Sequence, residues 1–259
     1  MRNFWITSCV ALISIVVSGC GDKFNVLQDV QPATGAQVRF IHAAPDAPAV
    51  DVYVNDRRIS GAAVTTTNPT GSLLYSSSSI FPSAEYSSIP IGTTKLKIVA
   101  ATNGTLTTPL LSADLEAEAG KQYSLFATGL APTYSTLLVT DDIPAISGNT
   151  FFVRIVNLVP NATDVTLTYD GKDIIPTVAP GKASAFVSIP FPADYKSGLL
   201  RTANFQAKVN GAIPVTTGTI FYTGIQPGAA ITYFVRGVMT TDAKIPTKYA
   251  VNLSSYSNR

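Results

Sequence analysis

Residues 38–54 read VRFIHAAPDAPAVDVYV, and this stretch contains His42, the only histidine of the chain. It starts as a mostly apolar run, breaks at alanines and prolines, and resumes as an alternating run over residues 50–54. Alternation has the period of a strand, and proline beside aspartate favours a turn. We interpret the stretch as strand, turn and strand, a hairpin-like element. One face of the first strand then carries Val38, Phe40 and His42.

A second copy of this stretch lies later in the chain. Residues 153–169 read VRIVNLVPNATDVTLTY and align with residues 38–54 without a gap. Further matches follow in the same order: 89–91 with 189–191, 103–104 with 210–211, and 120–126 with 228–234. Repeats of domain size indicate a tandem duplication rather than a solenoid.

Each copy has the pattern of a β domain. Residues 95–98 and 205–209 alternate polar and apolar side chains, and the second run ends at Asn210-Gly211, a strong hairpin turn signal. The pattern predicts an all-β fold of two tandem immunoglobulin-like β-sandwich domains, with a small barrel as the alternative. Residues 115–119 are compatible with a helical turn, whereas Pro227 in the matching segment of the second copy argues against a long helix there.

The N-terminus has the order of a secretory signal peptide. A short basic start precedes an uncharged, mostly apolar run over residues 4–17, and Val17-Ser18-Gly19-Cys20 resembles a bacterial lipobox. We predict a signal peptide at residues 1–19 and lipidation of Cys20. Cys9 lies inside the predicted signal, so lipidation leaves the mature chain without a free thiol.

The repeat also defines boundaries. We predict a lipidated tether at residues 20–34, the first domain at 35–141, a linker at 142–149 and the second domain at 150–259. Relative to the second copy, the first has extra residues between Ser60 and Tyr86. Loops on a rigid scaffold often bind ligands, although a functionless insertion fits as well. The ligand-binding candidates there are Tyr75, Phe81 and Tyr86.

The first copy resembles a known bacterial family. Residues 38–54, the run EAGKQY at 118–123 and the run FATGL at 126–130 are similar to DUF4397, a domain of unknown function. The resemblance covers most of the first domain, and in the second it is degenerate. It implies a secreted or surface-anchored protein with repeated β-rich domains, and it supplies no catalytic residue.

Composition excludes several classes of partner and cofactor. Charged residues make up 13% of the chain, the net charge is +2, and no lysine or arginine cluster occurs, so a nucleic-acid partner is not expected. Glycine loops that cradle phosphates are also missing, and we predict no cofactor. The predicted membrane partner is reached through the lipid on Cys20.

Catalytic motifs are equally scarce. A zinc site needs several histidines or cysteines, a Ser-His-Asp triad would have to use His42, and the sequence has no Gly-x-Ser-x-Gly elbow. We therefore predict no enzyme and no catalytic residue. The alternative is a hydrolase of envelope or extracellular polymers that uses two carboxylates, because such pairs need not be close in sequence.

His42 has a structural interpretation besides the catalytic one. The second copy has Asn157 at the matched position, and asparagine forms hydrogen bonds but cannot act as a general base at neutral pH. We expect His42 to be a structural hydrogen-bonding residue.

Calcium is the only metal that the sequence suggests, and only weakly. Oxygen ligands suited to calcium are offered by Asp46, Asp51, Asn55 and Asp56, without the spacing of an EF-hand. In the competing interpretation Asp46 stabilises its own turn by accepting hydrogen bonds from nearby backbone amides.

Together these features predict a non-enzymatic cell-envelope lipoprotein whose tandem domains serve as a binding or structural module at the bacterial surface. A glycan or an envelope protein is the expected partner. Gly21, rather than aspartate, follows the lipobox cysteine, which favours the outer membrane and leaves its periplasmic and surface faces as alternatives.

Overall fold

The structure is a computed structural model that describes residues 35–62, 64–76, 80–101, 109–146, 148–192, 202–216, 220–221, 225–239 and 249–259. Cys20, the predicted signal peptide and tether, and the aligned residues 103–104 lie outside these residues. In the part of the chain that is described, no helix is long and apolar enough to cross a membrane.

Strands account for the regular structure of both halves. The first half forms β1 (Ala36–His42), β2 (Val50–Val54), β3 (Arg57–Arg58), β4 (Ile80–Phe81), β5 (Ser87–Ile89), β6 (Gly92–Ala100), β7 (Pro109–Ala117), β8 (Gln122–Leu130) and β9 (Thr133–Thr140). The helical turn expected at residues 115–119 is wrong. Leu115 and Ala117 alternate into the core from the end of β7, and this strand period outweighs the helix propensity of the segment.

The second half continues the series. It forms β10 (Thr150–Asn157), β11 (Val165–Tyr169), β12 (Lys172–Val178), β13 (Lys182–Ala183), β14 (Val187–Pro190), β15 (Thr202–Ala203), β16 (Phe205–Val209), β17 (Ala212–Thr216), β18 (Ile220–Phe221), β19 (Ala230–Arg236) and β20 (Asn252–Ser257). The described chain is therefore all-β, as predicted.

The opening stretch places its two strands in different sheets. β1 pairs with β4 and β5 on one side and runs parallel to β8 on the other, with Phe40 opposite Leu125. β2 pairs with β3 and β6 instead. The interpretation as a hairpin-like element is wrong, because the proline-rich turn carries the chain from one sheet to the next.

Each half is built from two main sheets with the same strand order. In the first half the orders are β4-β1-β8-β9, with β5 also on β1, and β3-β2-β6-β7. In the second half they are β13-β10-β19-β20, with β14 also on β10, and β12-β11-β16-β17. The pair β10 and β19 is parallel, like β1 and β8, and β15 pairs with β18 separately.

The buried apolar side chains form three clusters, and alternation along β1 places its residues in two of them. Val38 and Phe40 pack against β2, β6, β7 and β8 inside the first half. Ile41 points to the other face and packs with Phe126, Val156 and Phe234, the last two from β10 and β19. A further cluster lies between the two sheets of the second half. Four sheets are therefore stacked, and the β1 and β10 sheets face each other in the middle.

Candidate functional site

His42 ends β1 and is fully buried. Its Nε2 lies 3.2 Å from the carbonyl oxygen of Pro48, across the turn, whereas its Nδ1 has no hydrogen-bond partner in the described part of the chain. Burial lowers the pKa of His42 from 6.5 to about 4, against a smaller opposing effect of the Pro48 carbonyl. The imidazole is therefore neutral at physiological pH and holds the turn.

Two tyrosine rings and one arginine, drawn from both halves, lie around this histidine. We call the group of His42, Tyr75, Arg236 and Tyr249 the aromatic corner. The rings of His42 and Tyr75 meet edge to face at 6.1 Å, as do those of Tyr75 and Tyr249. The guanidinium of Arg236 lies 4.7 Å from the centre of the Tyr75 ring. Burial raises the pKa of Tyr75. The corner therefore packs rings of both halves around the cation of the buried Arg236.

Asp46 contacts a distant part of the chain. Its Oδ2 accepts a hydrogen bond of 3.0 Å from the backbone amide of Ala131, in the β8–β9 connection. The expectation that it bonds nearby amides of its own turn is therefore wrong. The pKa of Tyr134, on β9, is raised by burial and by the Asp46 carboxylate, so this acid ties the turn after β1 to the β8–β9 hairpin.

The other calcium candidates each have a protein partner. The buried Asp51 forms an ion pair of 2.7 Å with Arg58, and Asp56 forms one of 2.5 Å with Lys97. Asn55 Oδ1 accepts a hydrogen bond of 3.0 Å from the Lys95 amide. Among the described residues no three acidic, histidine or cysteine side chains gather into a group that could hold a metal ion. The structure thus brings no calcium site together from these four residues.

The remaining ligand-binding candidates serve packing. Phe81, on β4, is half-buried against the core of the first half. Tyr86 donates a hydrogen bond of 2.6 Å to Asp141 Oδ2 and accepts one of 2.8 Å from Asn258 Nδ2. Arg39 lies 4.4 Å above its ring. Tyr86 therefore belongs to the contact between the halves, whereas Tyr75 is part of the aromatic corner.

Two buried arginines, at positions that the sequence alignment of the two halves matches, join the halves reciprocally. Arg39, on β1, donates from Nη1 to the carbonyl of Ser257 at 2.5 Å, and Arg154, on β10, donates from Nη1 to the carbonyl of Thr140 at 3.2 Å. Strand register makes Thr140 and Ser257 equivalent, because they pair with Tyr123 and Ile231 at matched positions of β8 and β19. Each half thus reaches the edge strand of the other through the same bond.

The rings over these arginines are equivalent as well. Arg39 lies above Tyr86, and Arg154 lies 4.7 Å from the ring centre of Phe186. Both rings come directly before matched strands, Tyr86 before β5 and Phe186 before β14. The contact therefore has an internal pseudo-twofold arrangement in its cations, its carbonyl acceptors and its ring partners.

One position breaks this symmetry with a charge. Asp141 accepts hydrogen bonds from Ser124 Oγ at 2.7 Å and from Tyr86, and it forms a fully buried ion pair with Arg154. At the equivalent place Asn258 Oδ1 accepts from Thr232 Oγ1 at 2.6 Å. Arg39 therefore donates to backbone carbonyls, whereas Arg154 donates to a carboxylate as well as to a carbonyl.

Sequence reasoning did not identify this network. The repeat alignment pairs Arg39 with Arg154, and a charged side chain within an apolar strand was a usable signal. Asp141 and Asn258 fall outside the aligned blocks, so their equivalence becomes visible only through strand register.

Comparison with known proteins agrees with the resemblance in the first half. Residues 36–158 match the family model described as Domain of unknown function (DUF4397). The match extends through β10, the first strand of the second half. No curated protein matches the chain.

Proposed function

We propose that this chain is a non-enzymatic cell-envelope lipoprotein, lipidated at Cys20, whose two tandem immunoglobulin-like β-sandwich domains form a rigid binding or structural module at the bacterial surface. The lipobox at residues 17–20 and the DUF4397 match support a surface-anchored protein. The equal strand orders and the two parallel pairs support a duplication.

The contact between the halves is the observation that carries the proposal. Phe126, Val156 and Phe234 form an apolar cluster across it, and the arginine bonds to Ser257 and Thr140 flank this cluster. A buried contact of this kind makes relative motion of the halves costly, unlike a flexible string of domains. A rigid body on a lipidated tether holds its loops in a constant arrangement, which a binding or spacer module needs.

The most buried carboxylates support a structural rather than a chemical role. Asp51 is paired with Arg58, and Asp141 is paired with Arg154. Both carboxylates are buried beside their arginine, so neither lies at a surface that a polymer substrate can reach. Hydrolysis of envelope polysaccharides by the purified protein would instead favour the hydrolase alternative.

Lipidation of Cys20 is directly testable in cells. In a bacterial expression host, we expect the wild-type protein to incorporate an alkyne fatty acid and to sediment with membranes. Cys20→Ser removes the acceptor thiol and should abolish labelling and membrane retention, because no other predicted anchor holds the mature chain.

Cys9→Ser is the matched control, since Cys9 lies in the predicted signal peptide. It should leave labelling unchanged. Membrane retention of the Cys20→Ser protein, or equal labelling of both variants, contradicts the lipoprotein assignment. Protease treatment of intact cells then distinguishes surface exposure from a periplasmic location.

A further inference from the structure

An open cleft lies at one edge of the first half, between its two sheets. β3 forms one wall and belongs to the β2 sheet, whereas β5 forms the other wall and pairs with β1. The cleft has a volume of about 540 Å³, within the usual range of small-ligand sites. β3 and β5 are short, so they leave this part of the sandwich edge uncovered.

Every polar side chain that lines the cleft can donate a hydrogen bond. These side chains are Asn55, Arg57, Arg58, Ser87 and Ser88. None of the described lining residues is acidic. A site with several donors and no carboxylate fits a ligand group with several acceptor oxygens.

One positive charge in the cleft is left without a counter-charge. Arg58 is paired with Asp51, which removes most of its net charge. Arg57 is exposed and forms no ion pair with any described residue, and its neighbour Asp56 is paired with Lys97. The side-chain oxygen of Asn55, Oδ1, accepts a hydrogen bond from the Lys95 backbone amide, so the side-chain nitrogen Nδ2 is the group that can donate into the cleft. The cleft is therefore cationic as well as rich in donors.

The second half keeps a cation and one serine at the matched positions but changes the other donors. Lys172 replaces Arg57, Asp173 replaces Arg58, and Val187 replaces Ser87. Asp173 is paired with Lys208 at 2.5 Å. The duplication thus offers an internal comparison in which the strand frame is kept and the donor set is changed.

We infer that this cleft binds an oxyanion, a carboxylate or phosphate group carried by a polymer of the cell envelope, through Arg57 with Asn55, Ser87 and Ser88 as further donors. The guanidinium presents two parallel N–H groups to such a group, a geometry that lysine does not offer. The inference rests on the proposed binding role and gives it a ligand class.

The test uses full-length lipidated protein in detergent and isothermal titration with three soluble probes. An oligogalacturonate carries carboxylates, a short polyphosphate carries phosphates, and a neutral malto-oligosaccharide carries neither. We expect binding of at least one anionic probe and none of the neutral probe. Raising NaCl from about 0.1 M to about 1 M shortens the screening length from about 10 Å to about 3 Å and should weaken binding markedly.

Substitutions then place the binding in the cleft. Arg57→Ala should weaken binding about tenfold or more, Arg57→Lys should weaken it less, and the matched control Lys172→Ala should leave it unchanged. Arg57 is exposed, so its variants should melt at the wild-type temperature. Binding of only one anionic probe identifies the ligand group as a carboxylate or as a phosphate. Binding of both shows that the cleft accepts either oxyanion.

Absence of binding by both anionic probes, or equal binding by wild type and Arg57→Ala, overturns the inference. Either result leaves the proposed function standing if the Cys20→Ser protein leaves the membrane. Conversely, failure of Cys20 labelling overturns the lipoprotein proposal even when the cleft binds an anion.

Discussion

At the scale of single residues, His42 shows how a buried ionisable group links folding to pH. With a pKa of about 4 in the folded chain against 6.5 for an unperturbed histidine, the imidazole is neutral in both states above pH 6.5. Between these values the unfolded chain takes up a proton that the folded chain excludes, so stability falls as the pH falls from 6.5 to 4. Below pH 4 both states are protonated and this contribution becomes constant. The shift corresponds to about 3 kcal/mol at its maximum.

We predict that His42→Asn removes this pH dependence. Asn157 occupies the matched position and donates a hydrogen bond of 2.9 Å to the Val178 carbonyl, so asparagine fits such a strand end. At pH 7 the variant should lose only about 1 kcal/mol of unfolding free energy. Urea titrations at intervals from pH 7 to pH 4 measure both quantities. Parallel profiles for the two proteins would show that His42 is not the group responsible.

At the scale of strands, the β8–β9 hairpin depends on one glycine. Gly129 has a φ of +93°, and a Cβ added there would lie 2.5 Å from the carbonyl oxygen of Thr133. Gly120 also has a positive φ, of +74°, but a Cβ there meets nothing within 4 Å. Substitution of these two glycines therefore distinguishes the cost of a left-handed backbone, present at both, from the cost of steric overlap, present only at Gly129.

Gly120→Ala should cost about 1 kcal/mol, the strain of a left-handed backbone alone. Gly129→Ala should cost about 1–3 kcal/mol more, because the hairpin must open to admit the methyl group. Thermal and urea unfolding of the two variants measure the difference. Equal costs would mean that the hairpin relaxes freely at this position.

Strand identity was readable from the sequence, whereas strand pairing was not. The alternation of Val38, Phe40 and His42 against Arg39 and Ile41 is a local property of the chain, and the structure has this alternation. The parallel pairing of β1 with β8 joins residues far apart in sequence, and no local pattern encodes it. The turn through Pro45 and Pro48 signals a reversal but not the sheet in which the next strand pairs.

At the scale of the whole molecule, the two halves contact each other through the strand faces that neither half covers internally. The repeat alignment identified the equivalent residues but gave no direction for their side chains. Arg39 and Arg154 each find a backbone carbonyl on the opposite half, and a carbonyl carries no signature in sequence. Tyr86 was a ligand-binding candidate and lies in the contact instead, bound to the side chains of Asp141 and Asn258.

We predict that Arg154→Ala destabilises both halves together. It leaves the Asp141 carboxylate buried without its cation, which typically costs about 3–5 kcal/mol. Lys208→Ala is the control, because it breaks a more exposed pair with Asp173 and should cost less than about 1 kcal/mol. Differential scanning calorimetry should show one transition for each protein, shifted strongly downward only for Arg154→Ala. Two separate transitions, or equal shifts, would contradict this description of the contact.

The hydrogen bond between Tyr86 and Asn258 joins residues 172 positions apart, and it has a consequence for synthesis of the chain. A chain made from its N-terminus presents β1 long before β8, and Tyr86 long before Asn258. The first half can pair its parallel strands only after β8 has been made, and its outward apolar face stays uncovered until β20 arrives. A chain that stops before β20 therefore leaves this face exposed. The surface that joins the finished halves is thus the one that an unfinished chain presents to solvent.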